Sequence, residues 1–84
     1  MPSANPLSIV ANPTKNYVQI NISLEDSKLN QLVLYSLYGK QINTYKAKQG
    51  NQQLNIAGLA AGKYLLQLQT NIGEFYQQQI IILK

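Results

Sequence analysis

Eighty-four residues with a net charge of +4, no cysteine and no histidine describe one small domain held by packing and backbone pairing, without disulfides or thiolate metal sites. The missing histidine removes the commonest metal ligand and proton carrier, so Ser-His-Asp, Cys-His and zinc-hydroxide mechanisms are excluded, and neither metal nor cofactor is expected. Of the three acids, Glu25 and Asp26 are neighbours that point to opposite faces of an extended chain, which leaves no ready carboxylate pair with Glu74; no enzyme is expected.

Along the chain every segment alternates with a period of two, and Asn, Gly and Pro punctuate the segments at short intervals. Met1 to Pro6 reads as a flexible lead, and "MPSANP" lacks the basic and apolar regions of a signal peptide. Strands are then expected at Leu7 to Ala11, Tyr17 to Leu24, Gln31 to Leu37, Gln41 to Lys48, Gln52 to Ile56, Lys63 to Thr70 and Phe75 to Leu83. In the second, Val18, Ile20, Ile22 and Leu24 form a dry face against Gln19, Asn21 and Ser23. "LVLYSLYGK" is apolar on both sides, as expected of a central strand or of one whose outer face is covered. In the sixth, Tyr64, Leu66 and Leu68 share a face. The apolar "QIIILK" must be paired within the core or else be presented to a partner. Seven short strands with no amphipathic helix predict an all-β fold, an immunoglobulin-like antiparallel β-sandwich.

The turns fall between these runs. In "ANPTKNYV", Pro13 fixes φ and holds Asn12 extended, while Asn16 tolerates the left-handed conformation. Gly39 before Lys40 suits a tight hairpin. In "LAAGKYLLQLQ", Gly62 releases the chain into a strand, Leu59 plugs the end of the sandwich, and Tyr64 buries its ring with its hydroxyl at the rim. Pro13, Gly39 and Gly62 are thus expected at strand ends. The spacing around Gly62-Lys63 has no phosphate-loop character.

The surface is polar through twenty Asn and Gln residues, while the seven lysines are scattered and no arginine accompanies them. Nucleic acid is therefore not an expected partner, since its binders cluster basic residues and favour arginine. Tyr45 with Lys46 and Lys48 is the nearest approach to a base-stacking surface, and tyrosines on half-buried pleats have a plainer explanation. Tyr35, Tyr38 and Tyr45 are the residues that would line a sugar-binding face, in the alternative reading of an adhesion or carbohydrate-binding module.

Taken in order, "SIVANPTKNYVQINI", "LVLYSLYGKQI", "LNIAGLAAGKYLLQL" and "QQIIILK" resemble one family, the type A C-terminal sorting domain of the Bacteroidetes type IX secretion system, over residues 7–84. Members typically carry a Pro-Asn-Pro turn, a tyrosine-ended strand with a Gly-Lys or Gly-Arg turn, an L-x-x-G-x-Y motif and an apolar final strand ending in a basic residue. Ala11, Asn16 and Ser36 stand where the family often has proline, glycine and an acidic residue or asparagine. The resemblance implies a non-catalytic address for an upstream cargo protein, recognised by the outer-membrane translocon and removed by a sortase-like peptidase upstream of the first strand. Met1 to Pro6 would then be the remnant of a linker to the cargo, and the product would be secreted or displayed at the cell surface. The matching positions are Asn12, Pro13, Gly39, Lys40, Leu59, Gly62, Tyr64 and Lys84.

Overall fold

The computed structural model of the protein describes residues 5–11 and 16–83. Its strands are β1 (Leu7–Ala11), β2 (Tyr17–Ile22), β3 (Leu29–Ser36), β4 (Gln41–Lys46), β5 (Gly50–Asn55), β6 (Gly62–Thr70) and β7 (Phe75–Ile82). They form two antiparallel sheets, one in the order β1-β2-β5 and one in the order β4-β3-β6-β7. The connections after β2, β4 and β5 each cross from one sheet to the other, which gives the immunoglobulin-like sandwich its interleaved topology.

Alternation builds the core. Val18, Ile20, Ile22 and Leu54 from the first sheet meet Leu32, Leu34, Leu66, Leu68, Ile80 and Ile82 from the second, all essentially fully buried. Each such side chain stabilises the fold by about 1.5–3 kcal/mol relative to exposure. The polar residues of the same strands face outward, and cross-strand amides pair there. Asn21 Nδ2 donates to Asn51 Oδ1 at 2.9 Å, and Gln31 Nε2 donates to Gln69 Oε1 at 2.8 Å. Among the described residues no buried side-chain polar atom lacks a hydrogen-bond partner.

The element ends differ from the alternation pattern where side chains or connectors replace ladder bonds. β2 stops at Ile22 because the next pair in register, Ser23 with Pro6, has only the bond from Ser23 N to the Pro6 carbonyl, 2.9 Å, and proline has no N–H to return the second. A single 3-10 turn, Asp26–Lys28, sits inside the polar connector, and β3 begins directly after it at Leu29. β4 ends at Lys46 because Ala47 turns into the core and the Gln52 amide takes over, accepting from Lys48 N at 3.1 Å and donating to the Lys46 carbonyl. As its two-sided apolarity predicts, β3 is central, between β4 and β6. Ile80 and Ile82 of β7 are buried in the core, and among the described residues the strand pairs only with β6, at an edge of its sheet.

Candidate functional site

Two turns that the sequence singles out are held by short, specific bonds. In the β3–β4 turn the Ser36 hydroxyl accepts from the backbone N–H of Tyr38 at 3.3 Å and of Lys40 at 3.2 Å, while Gly39 N donates to the Ser36 carbonyl at 3.0 Å. Ser36 therefore does here what a carboxylate or amide would do at the same position, accepting from turn N–H groups. Gly39 has a φ of 84° with no atom near the place of a Cβ. Glycine is required for backbone conformation at this position, not for space.

The second turn answers why a glycine precedes a tyrosine at the mouth of β6. Gly62, at φ 150°, starts the strand opposite Ile82. Tyr64, half-buried against the core, donates its hydroxyl back to the Ala60 carbonyl at 2.7 Å. This is the arrangement of a tyrosine corner, in which a tyrosine near the start of the sixth strand ties down the loop that delivers it. Leu59 packs on the core from that same loop, and its N–H reaches the Ile56 carbonyl at 3.2 Å. Leu59, Gly62 and Tyr64 thus form one structural unit, a plug, a release and a tie.

Register places these turns together. Ser36 lies opposite Tyr64, and Gly62 opposite Ile82, so the β3–β4 turn, the β5–β6 loop and the close of β7 share one end of the larger sheet. Gly39, Lys40, Leu59, Gly62 and Tyr64 all gather there, and Gly39 and Gly62 stand at strand ends as expected. Asn12, Pro13 and Lys84 lie outside the described residues. Alternation misses the apolar surface around this end: Leu37 is 60% exposed, Tyr38 98% and Leu83 71%, with Ile81 beside them. "LYG" reads as a turn, and only the folded chain shows that none of the described residues covers its leucine and tyrosine.

The alternative ligand faces are not assembled. Tyr45 turns to the seam between the sheets, where its hydroxyl donates to the Asn55 carbonyl at 2.7 Å and accepts from Asn43 Nδ2 at 3.3 Å. Tyr35 lies opposite Leu65 on the outer face, and Tyr38 stands in the turn, so the three make no common platform. Tyr45 is likewise withdrawn from Lys46 and Lys48. Burial raises the Tyr45 pKa, and the Asn43 bond offsets this in part. A shallow cleft of about 290 Å³ on the smaller sheet is lined by Gln19, Asn51, Gln52 and Gln53, uncharged amides without a nucleophile or a base. Among the described residues no cluster of three His, Cys, Asp or Glu is present.

Comparison with curated proteins and with solved structures returns no match. Comparison with protein families matches residues 8–83 to the secretion system C-terminal sorting domain, a span that runs from the second residue of β1 past the end of β7. The match covers all of the sandwich but Leu7, including both turns described above, and the chain therefore belongs to the family of type IX secretion C-terminal sorting domains.

Proposed function

We propose that this domain is a non-catalytic address for an upstream cargo, and that the translocon reads the end of the sandwich that carries the β3–β4 turn, the β5–β6 loop and the close of β7. The observation that carries the reading is the family match across residues 8–83. Leu37 and Tyr38 supply exposed apolar contact there, beside the cation of Lys40. Recognition of this kind needs a rigid shape, and the tyrosine corner and the Ser36 turn hold the shape still. The signature positions then divide: Gly39, Leu59, Gly62 and Tyr64 build the end, while Lys40 and Lys84 offer charge to an acidic receptor surface. A sortase-like peptidase removes the domain at a point upstream of β1, and the cargo is released or kept at the cell surface.

The test is a transplant. The domain is fused behind a signal peptide and a fluorescent reporter in a Bacteroidetes host, with and without a working type IX system. Export that requires both the domain and the system supports the reading, and the size of the exported reporter reveals removal of the domain. A reporter held in the periplasm in both hosts overturns it.

A further inference from the structure

Edge strands in soluble proteins are normally blunted by charge, proline or a bulge, and two of the four edges here follow that rule. β1 carries a register shift between Ile9 and Ala11, with Pro6 directly before the strand. β4 carries a register shift across from Leu34 and Tyr35, and ends on Lys46. β5 carries none of the three and pairs with β2 without a shift, but its residues are polar or glycine apart from Leu54. β7 has none of these devices either, although the segment leading into β1 lies against it, with Gln78 Nε2 donating to the Leu7 carbonyl at 3.3 Å. From Phe75 to Leu83 there is no charge, proline or glycine, and the pairing with β6 runs without a shift.

The outward groups of this edge are identifiable. Asn5 Nδ2 donates to the Gln77 carbonyl at 2.9 Å from outside the sheet, so the backbone groups of Phe75, Gln77, Gln79 and Ile81 face away from β6. Among the described residues, the Gln77 carbonyl is the one such group with a partner beyond the sheet.

We propose that β7 is a self-pairing edge, which joins two copies of this domain antiparallel about Gln78 into one continuous eight-stranded sheet. The sequence FYQQQII is a pseudo-palindrome. Centred on Gln78, Phe75 meets Ile81 and Gln77 meets Gln79 on the outer face, while Tyr76 meets Ile80 and Gln78 meets itself on the inner. Apolar residues thus oppose apolar ones and amides oppose amides. This register also puts Gln77 opposite Gln79 as a pair whose outward N–H and C=O groups exchange both bonds, as antiparallel geometry requires. Charge is compatible with the same approach, with Lys63, across from Ile81, the lysine nearest this edge among the described residues. Each copy carries +4 overall, but Lys40 and Lys46 flank β4 and Lys48 follows it, at the opposite edge of the sheet. Two copies meeting through β7 keep those cations far apart. Two contacts within the chain compete: the Asn5 side chain occupies a carbonyl that the second copy would use, and the Gln78 side chain at the axis donates to the Leu7 carbonyl.

Sedimentation velocity of the intact 84-residue chain over a concentration series tests this, with folding of each variant checked by circular dichroism. A reversible dimer is expected. Gln77→Lys with Gln79→Lys sets lysine against lysine across the axis and should abolish it, while Gln77→Lys with Gln79→Glu sets lysine against glutamate and should retain it. Asn5→Ala should tighten association by about 2- to 10-fold, the range one freed hydrogen bond allows. A chain that stays monomeric throughout overturns the proposal. So does a dimer that survives lysine against lysine, or one that both paired variants abolish, since the first is not at this edge and the second is not in this register.

Discussion

A hydroxyl at position 36 shows how one residue settles a turn. Ser36 accepts from two turn N–H groups, so Ser36→Ala should destabilise the domain by about 1 kcal/mol, and Ser36→Asp should leave stability close to unchanged. Chemical denaturation of the two variants checks this, and equal losses in both would contradict the acceptor role. Tyr64→Phe removes only the bond to the Ala60 carbonyl and should cost about 0.5–1.5 kcal/mol, with the ring still packed. Tyr45 adds a pH dependence. Burial holds its pKa above the ordinary 10.0, so the native state favours the neutral phenol. Its contribution to stability is fully present below pH 10.0 and is lost as pH rises through the native pKa. Ultraviolet titration of the native chain, compared with Tyr45→Phe, should remove one late-ionising phenol from the curve.

Elements in this domain are stabilised at their ends as much as along their ladders. Gly39 holds a φ of 84°, so Gly39→Ala should cost about 1–2 kcal/mol although no neighbouring atom would be struck. The alternation of β2 and β6 is plain in the sequence because one face is dry and the other wet. The limits of β4 and the start of β3 are less plain. Lys46 gives its carbonyl to the Gln52 side chain, a bond between residues whose spacing carries no periodic signal. Leu29 joins β3 because a one-turn 3-10 segment precedes it, and in the sequence "EDSKLN" reads as an undivided polar connector.

At the scale of the whole molecule, stability rests on a single core shared by both sheets. Leu66→Ala empties a fully buried site and should cost about 2–5 kcal/mol. A small domain has only about 5–15 kcal/mol in total, so a denaturant midpoint near that of the parent would contradict the central place of Leu66. Substitution at the proposed recognition end should behave oppositely. Leu37→Asp with Tyr38→Asp should leave the unfolding midpoint nearly unchanged, because both side chains are exposed, while lowering export of a fused reporter. Loss of stability together with export would place these residues in the fold and not in recognition.

By itself the sequence determined the fold class, the strand faces, the turn glycines and the family, because period-two patterning and φ-permissive residues are local properties that survive reading along one dimension. Val18, Ile20 and Ile22 announce their face without any partner in view. Three matters were decided by tertiary structure alone. Strand order made β7 an edge, although "QIIILK" is as apolar on two sides as the central "LVLYSLYGK". Register gathered Gly39, Lys40, Leu59, Gly62 and Tyr64 at one end. Packing sent the Tyr45 hydroxyl into the sheet seam and left Leu37 and Tyr38 uncovered. Each depends on which distant residues become neighbours, and that follows from how two sheets close over one core, not from any residue's local preference.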